Sequence, residues 1–292
     1  MPDGRFFQSV QLTELTLRVA DLAHVQAFYE DVLGFARLAA PTGSVALAPP
    51  GAAQALVVLH AAPNAAPRPR GAAGLFHVAF LFPDRAALAR ALQRVLDLDV
   101  PIGSADHGVS EAIYLSDPEG NGIELYADRP QEAWPPRLAD GQVTMYTDAL
   151  DIPALLALAR PSDPLLPKGT RIGHVHLSVA DLGHAEHFYG EALGFGVTQR
   201  SYPGALFLGR DGYHHHIGAN IWRSHQAATP GTLGLAEFTL RLSQRDDFAA
   251  VTSRLTATGY LREQSDRVAV AQDRDGLVAR VLLDDGPSGP ST

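Results

Sequence analysis

Histidine and glutamate recur at four equivalent positions in this 292-residue chain, which contains no cysteine. Each of four residues stands seven positions before the polar residue at which a helix is expected to begin: Glu14, His77, His174 and Glu237. Imidazole and carboxylate groups can bind divalent metals and transfer protons. The absence of cysteine excludes disulfides, thiolate catalysis and cysteine-held metals. Any metal must therefore be held by His, Asp, Glu or neutral oxygen.

These four positions are equivalent because the chain contains an internal repeat. Residues 17–35 and 177–195 are identical at 11 of 19 positions at an offset of 160, and a weaker copy follows in each half. Each copy begins with an alternating strand, continues with a helix whose apolar residues recur at helical spacing, and ends in shorter strands. The sequence therefore predicts four βαβββ modules, at residues 10–62, 74–127, 171–223 and 234–284.

This organisation predicts an α+β fold with two domains, at 8–127 and 171–284. A proline-rich connection with one short helix is expected at 128–170, and a flexible tail at 285–292. The residues that flank each recurring position are apolar and should pack under the helix. The recurring side chain then points to the opposite, concave face of a cup-shaped mixed sheet.

Glu124 stands in the last predicted strand of module two, between Ile123 and Leu125. A carboxylate buried among apolar residues is costly without a partner, so a partner group is expected beside it. The equivalent positions of the other modules hold Arg280, approximately Asn220, and either Val58 or His60.

Four segments carry a resemblance to a known family: GLFHVAF at 74–80, DHGVSEAIYLSDPEGNGIELYADRP at 106–130, GHVHLSVAD at 173–181 and GYHHHIGANIW at 212–222. They resemble the vicinal oxygen chelate superfamily, which includes glyoxalase I, antibiotic-resistance proteins and extradiol dioxygenases. The chain looks most like the small two-domain members of catechol-2,3-dioxygenase type. The resemblance covers about residues 10–284 and implies two glyoxalase-like domains.

The resemblance also implies a metal site formed by His77, His174 and Glu124. A set of two histidines and one carboxylate leaves positions open for non-haem Fe(II) chemistry, with manganese, zinc or nickel as alternatives. The implied activity is extradiol cleavage of a small catechol-type aromatic diol by O2.

Extradiol members carry further groups beside the metal, and the resemblance places these at His107, Tyr114 and the pair His215–His216. His216 would act as the acid–base group, and Tyr114 would orient a ring oxygen or an intermediate by a hydrogen bond. If the strand is regular, His216 faces the open metal positions and His215 points the other way.

The ligand types favour one pairing of modules. If module two pairs with module three, and module four with module one, then His77, His174 and Glu124 meet in one cup. Pairing of adjacent modules would instead bring Glu14 to His77 and Glu124. The favoured pairing leaves Glu14, Glu237 and Arg280 in a second cup, as a salt-bridged pseudo-site without metal or as solvated strand faces.

Two other functions stay open from the sequence. A glyoxalase I-like isomerase or lyase would need a fourth charged ligand, for which the chain offers only Asn220. A non-catalytic, drug-sequestering resistance protein usually has no metal set, so the His and Glu positions argue against it.

Composition limits the partners. A formal net charge of −9 and the lack of a Lys/Arg run argue against nucleic-acid binding. No apolar stretch is long enough for a signal peptide or a membrane span, so a cytoplasmic protein is expected. The predicted partners are the aromatic diol and O2, and a homo-oligomer is left open.

Overall fold

The computed structural model describes residues 8–160, 162 and 164–284. The strands are β1 (Val10–Val19), β2 (Ala36–Leu38), β3 (Ser44–Ala48), β4 (Val57–Ala61), β5 (Gly74–Leu81), β6 (Gly103–Asp106), β7 (Ser110–Ser116), β8 (Gly122–Asp128), β9 (Arg171–Ser178), β10 (Gly196–Gln199), β11 (Ala205–Gly209), β12 (Ile217–Asn220), β13 (Gly234–Leu242), β14 (Leu261–Gln264), β15 (Val268–Gln272) and β16 (Val278–Leu283). The helices are α1 (Leu22–Ala27), α2 (Arg85–Asp97), α3 (Ile152–Leu156), α4 (Leu182–Ala185) and α5 (Arg245–Ala257). The predicted flexible tail at 285–292 lies outside the described residues.

The first helix begins directly after the polar residue that the sequence predicts as its start. The side chain of Asp21 accepts a hydrogen bond of 3.0 Å from the backbone N–H of His24, which satisfies one free donor of the first turn. Gly34 follows the helix with φ of +83°, a left-handed conformation that favours glycine. Between these residues the chain changes to π-helix at Phe28–Val32, and the repeated segment does the same at Glu186–Ala192. The sequence did not predict this widening.

The strand order confirms the α+β class and the four βαβββ modules. In every module the first and last strands pair in parallel, as β1 with β4, β5 with β8, β9 with β12 and β13 with β16. The helix of each module connects its first strand to the shorter strands that follow. The first and last strands of a module are therefore neighbours, and their side chains on the concave face lie next to each other in the cup.

Modules pair across the two halves of the chain. β5 of module two pairs antiparallel with β9 of module three, and β1 of module one pairs antiparallel with β13 of module four. β1 and β9 are paired only at Leu12 and Ile172. This is the pairing that the ligand types favoured. The division into domains at 128–170 stays a prediction.

The apolar face of each first strand packs under its helix. Leu15, Leu17 and Val19 on β1 are completely buried, together with Val25 and Tyr29 of the following helical segment. Burial of each such side chain stabilises the fold by about 1.5–3 kcal/mol. The helical layer therefore holds the strands from one side and leaves the opposite face free to form a cup.

The connection covers part of one cup. It contains a 3₁₀ turn at Gln131–Ala133 and the short helix α3. Val143 and Met145 pack against Val109 and Phe207. In the described part of the chain, no helix is both long and apolar enough to cross a membrane. The cytoplasmic location and the homo-oligomer stay predictions.

Candidate metal centre and active site

Two imidazoles and one carboxylate meet on the concave face shared by modules two and three. His77 lies on β5, His174 on β9 and Glu124 on β8. β5 runs between the other two strands, and its Ala79 is paired with both His174 and Glu124. Nε2 of His77 and Nε2 of His174 lie 2.9 and 3.1 Å from the same oxygen, Oε2 of Glu124. All three side chains are buried.

Burial and charge determine the protonation of this cluster. Burial lowers the pKa of His174 to about 4, so its ring is neutral at neutral pH. Burial acts to raise the pKa of Glu124, but attraction to His174 and His77, together with the hydrogen bond to His174, holds it well below its ordinary value. An ionised carboxylate and a neutral imidazole are the forms that bind a metal.

The cluster fits a metal ion. Nε2 of His77 is buried and lacks a hydrogen bond of acceptable geometry, although Glu124 lies within ion-pair distance. Leaving such a group unsatisfied costs about 1–3 kcal/mol, and a cation between the side chains would remove that cost. Within residues 8–160, 162 and 164–284, no other group of three His, Asp or Glu brings its ligand atoms within 4.8 Å of one another. Two histidines and a carboxylate are the donors typical of non-haem Fe(II).

A cavity of about 910 Å³ opens over the cluster. This volume lies near the upper end of the range of about 300–1,000 Å³ for small-molecule sites. Aromatic side chains form much of the wall: Phe76, Tyr146, Tyr202, Phe207 and Trp222. The site can therefore hold an aromatic ring with room for a substituent.

His107 and Tyr114 lie together at this cavity. Tyr114 on β7 is paired with Glu124 on β8, and His107 directly follows β6. Nδ1 of His107 lies 2.7 Å from the carbonyl oxygen of Tyr146, and Nε2 lies 2.6 Å from the Tyr114 hydroxyl. Because a carbonyl only accepts, Nδ1 of His107 carries a proton, and in the neutral ring the bare Nε2 accepts from the Tyr114 hydroxyl. Burial and the charge of Glu124 raise the pKa of Tyr114 well above its ordinary value.

The structure contradicts the predicted orientation of the histidine pair. His215 lines the cavity, with its ring centroid 4.1 Å from that of His174. His216 lies on the other side of the strand, where Nδ1 accepts the backbone N–H of Arg210 at 3.2 Å and the ring packs on Phe195. The backbone bends at 214 and 216, just before β12 begins. These bends shift the alternation by one residue, so His215 occupies the cavity-facing position predicted for His216.

Sequence reasoning missed His176, a further imidazole of the cavity wall. Alternation along β9 puts it on the same face as His174, and that signal could have found it. Its ring centroid lies 5.0 Å from that of His77, and its Nε2 is buried without a hydrogen-bond partner. Gly218 lies against the ring, where a Cβ would come within 2.9 Å of it. Glycine is therefore needed at that position.

The second cup contains an ion pair. Nε and Nη2 of Arg280 donate to the two carboxylate oxygens of Glu237 at 2.8 and 3.0 Å. Burial, followed by the charge of Glu237, raises the pKa of the nearby Glu14. The salt bridge predicted for this pseudo-site is present, and the metal-type cluster of the described residues lies in the other cup.

Comparison with known proteins agrees with this geometry. The model of the Glyoxalase/Bleomycin resistance protein/Dioxygenase superfamily matches residues 11–125 and 171–279. The chain belongs to this superfamily. The family resemblance inferred from the four motifs is therefore confirmed, together with the glyoxalase type of its fold.

Individual relatives include ring-cleaving enzymes. A catechol-2,3-dioxygenase of Bacillus subtilis (strain 168) is 41% identical over 256 residues, which cover 86% of this chain and 89% of the relative. A biphenyl-2,3-diol 1,2-dioxygenase 2 of Rhodococcus globerulus is 34% identical over 119 residues, or 37% of this chain and 61% of the relative.

Solved structures share the fold at low identity. A putative dioxygenase from Bacillus subtilis is 12% identical with a TM-score of 0.66, covering 95% of this chain and 86% of that one. Glyoxalase I from Zea mays is 17% identical with a TM-score of 0.56, covering 96% and 94%. Because both chemistries occur on this fold, the fold alone does not choose between them.

Proposed function

We propose that this chain is an extradiol dioxygenase that uses Fe(II) and O2 to cleave the ring of a catechol-type diol. The observation that carries the proposal is the convergence of His77, His174 and Glu124 on one point of an aromatic-walled cavity, with His215 and Tyr114 beside it. The catechol-2,3-dioxygenase relative, 41% identical over most of both chains, supports the same activity.

His77, His174 and Glu124 would hold the iron through Nε2, Nε2 and Oε2. Fe(II) held there would supply open coordination positions and the redox chemistry that links a diol to O2. The three ligands bring one negative charge, which leaves the metal unit with one net positive charge. That charge favours binding of the diol as an anion, so a group is needed to take the proton it loses.

His215 and Tyr114 are placed to handle that proton and orient the diol. His215 lines the cavity beside His174 and can accept a proton from a diol hydroxyl. The Tyr114 hydroxyl gives its own hydrogen to His107, so its oxygen can accept a hydrogen bond from the diol. These two groups face the ligand without being needed to hold the metal.

The rival functions are less well supported. A glyoxalase-like isomerase would need a fourth charged ligand, and the cluster among the described residues has three. The candidate Asn220 accepts a hydrogen bond of 3.3 Å from the backbone N–H of Trp222 and does not line the cavity. A resistance protein that only sequesters a drug would have no use for a buried set of two histidines and a carboxylate.

Iron content and oxygen uptake test the proposal. The protein is reconstituted anaerobically with Fe(II) and mixed with catechol and with alkyl-substituted catechols. We expect one iron per chain and one O2 consumed per ring opened. Binding of zinc or nickel in preference to iron, with no oxygen uptake from any diol, would contradict the proposal.

Ligand variants make the test specific to the site. His77→Ala and His174→Ala should lose iron and keep the far-ultraviolet circular dichroism of the parent, because both side chains line a cavity. His184→Ala, on the half-exposed start of α4, is the matched control and should keep its iron. Stoichiometric iron in both ligand variants would remove the assignment.

A further inference from the structure

Three polar side chains form a line that ends at the cavity: Asp128, His214 and His215. Nε2 of His214 lies 2.9 Å from Oδ1 of Asp128. Nδ1 of the same ring lies 2.8 Å from Nδ1 of His215. The His214 side chain is completely buried, and that of Asp128 is 9% exposed. Asp128 and His214 lie within the motifs at 106–130 and 212–222, yet the proposed function gives neither of them a role.

With a neutral His214, these contacts specify where the protons lie. A carboxylate only accepts hydrogen bonds, so Nε2 of His214 donates to Asp128. A neutral His214 then has a bare Nδ1, which can only accept. Nδ1 of His215 must therefore carry the proton and donate it, and Nε2 of His215 is left bare. Since Nδ1 is turned toward His214, Nε2 is the ring nitrogen that His215 can offer to the cavity.

We propose that Asp128 and His214 are positioning residues that hold His215 in the tautomer with a bare Nε2, ready to take a proton from the substrate. This inference rests on the proposed function of the cavity. In the step concerned, a diol O–H bond breaks, its electron pair stays on oxygen, and a new N–H bond forms at Nε2. The resulting imidazolium charge is stabilised by Asp128 through His214.

The surroundings keep this relay fixed. The Tyr213 hydroxyl donates to Oδ1 of Asp128 at 3.2 Å, and it also lies 2.6 Å from the Tyr126 hydroxyl. The rings of Trp134 and Tyr126 lie 5.6 and 6.3 Å from that of His214. An imidazole enclosed in this way cannot rotate freely, so its two hydrogen bonds persist. A third group that orients a catalytic base is a common arrangement in enzymes.

The tautomer can be measured without turnover. Protein labelled with ¹⁵N-histidine and loaded with diamagnetic Zn(II) is examined by long-range ¹H–¹⁵N correlation, with His215 assigned from the signals lost in His215→Gln. We expect the proton of His215 on Nδ1 in the parent protein. In Asp128→Asn the proton should be found on both nitrogens, because the amide can either donate to His214 or accept from it.

Kinetics separate positioning from packing. His214→Leu removes the acceptor for His215, whereas the nearly isosteric His214→Asn places an amide oxygen close to the lost Nδ1. The leucine variant should lose at least about tenfold in kcat, up to the 10²–10⁴-fold typical of a general base. The asparagine variant should recover most of that loss. Dissociation constants for catechol, measured without oxygen, should stay within about twofold in both variants.

Two outcomes would overturn the proposal. One is a proton on Nε2 of His215 in the parent protein, which would mean that His214 is doubly protonated and donates to both neighbours. The other is equal kcat in His214→Leu and His214→Asn. Failure of the leucine variant to fold leaves the parent spectrum and Asp128→Asn to decide. His184→Gln, on the surface, is the control that should change neither measurement.

A second inference rests on the charge along the cavity wall. Arg68, Arg70 and Arg223 line the cavity, and Glu124 is the one acidic residue among the described residues that does so. None of these arginines has an ion pair with an Asp or Glu of the described chain. The chain as a whole carries a net charge of −9. The cavity wall therefore carries a local excess of positive charge, although the molecule as a whole is negative.

Backbone hydrogen bonds join the two segments that carry these arginines. The carbonyl oxygen of Gly71 accepts from the backbone N–H groups of His225 and Gln226 at 2.9 and 3.2 Å. The backbone N–H of Ala73 donates to Gln226 at 2.8 Å. These bonds hold the backbones of the two arginine-bearing segments together at the junction between modules two and three.

We infer that the preferred diol carries an anionic substituent, such as a carboxylate on a short side chain. This too rests on the proposed function, because the diol oxygens are taken to lie at the metal cluster. A cavity of about 910 Å³ is far larger than one bare catechol ring requires. The remaining space reaches Arg68, Arg70 and Arg223, where a carboxylate would find cationic hydrogen-bond donors.

A matched pair of probes isolates the charge: 3-(3,4-dihydroxyphenyl)propanoate and its neutral amide. Calorimetric titration into the Fe(II)-loaded enzyme without oxygen should show the acid bound at least about tenfold more tightly. Arg70→Gln and Arg223→Gln should each reduce that preference by about two- to fivefold, as expected for exposed charge pairs. Added salt should reduce it as well. Arg262→Gln, on β14 of module four, is the control and should preserve it.

Equal affinity for the acid and the amide would overturn this inference and leave the proposed function intact. The same conclusion follows if neither probe binds while catechol is still cleaved. If neither probe binds and no diol is cleaved, both proposals fail together.

Discussion

His107 and Tyr114 are joined by a hydrogen bond of 2.6 Å between the imidazole Nε2 and the phenol hydroxyl. In the neutral imidazole, the direction of this bond follows from the Tyr146 carbonyl, which lies 2.7 Å from Nδ1 of the same ring and can only accept. The phenol hydrogen therefore points toward His107, and the phenol oxygen keeps its lone pairs for a ligand. In the proposed mechanism His107 would act through Tyr114, and Tyr114 would contact the substrate.

Removing the Tyr114 hydroxyl should reduce catalysis without removing the metal. Tyr114→Phe is expected to keep its iron and to lose about tenfold or more in kcat/KM, because one hydrogen bond to the bound diol disappears. His107→Phe should give a smaller loss, since the hydroxyl remains but can rotate. Steady-state oxygen uptake checks both variants. An equal or larger loss in the His107 variant would mean that His107 itself contacts the substrate.

The two neighbouring histidines should differ sharply in effect. His215→Gln is expected to keep iron and lose about 10²–10⁴-fold in turnover, because His215 is the imidazole that lines the cavity. His216→Gln should leave kcat per iron nearly unchanged but lower the unfolding midpoint, because His216 packs on Phe195 and accepts from Arg210. Activity and thermal unfolding are measured on the same samples. The opposite ranking would return the acid–base role to His216.

The sequence was sufficient to bring the three proposed ligands together. His77 and His174 occupy the same place in a repeat, and strand alternation assigns them to one face. Glu124 follows from the same argument applied to the last strand of the module. Because these residues are of metal-ligand type, they predicted that modules two and three pair. The pairing of strand β5 with β9 confirms this prediction.

The errors and omissions have local physical causes. His216 was misplaced because alternation was counted through the bends at 214 and 216, where the backbone is not extended. The contact of the Tyr146 carbonyl with His107 depends on how the connection folds over the cup. The spacing of apolar residues in the sequence does not predict such a contact. The link between Asp128 and His214 joins positions far apart in sequence, and only the tertiary structure brings them together.

Gly173 should be intolerant of a side chain. A Cβ at this position would overlap the hydroxyl of Tyr126, which is hydrogen-bonded to Tyr213 at 2.6 Å. Gly173→Ala must therefore displace a fully buried tyrosine and is expected to destabilise the protein by about 1–3 kcal/mol. Gly169→Ala is the matched control, because its nearest atom would lie 3.9 Å away, and it should change stability by no more than about 0.5 kcal/mol. Urea unfolding of both variants provides the comparison.

Asp273 should make the stability depend on pH. Its carboxylate lies in the turn between β15 and β16, where it accepts hydrogen bonds from the Tyr189 hydroxyl and the backbone N–H of Leu277 at 2.9 and 2.8 Å. Burial outweighs these bonds and raises its pKa to about 7. Between its ordinary value of 3.8 and about 7, the folded state holds a proton that the unfolded state has released. The contribution of Asp273 to the free energy of unfolding therefore falls as pH rises through this window, by at most about 1.4 kcal/mol per unit.

Asp273→Asn removes this titration and should flatten the pH dependence. The free energy of unfolding is measured in urea at about pH 5 and about pH 7.5 for the metal-free parent and variant. The parent should lose about 2–3 kcal/mol more than the variant between the two conditions, since about two pH units of the window are crossed. Each protein is compared with itself at the two pH values. The loss of free energy from hydrogen bonds that the substitution weakens equally at both pH values therefore cancels. Asp97→Asn, at the exposed end of α2, should behave like the parent. If Asp273→Asn instead keeps the full slope of the parent, Asp273 is ionised in the folded protein throughout this range and the buried turn stabilises its charge.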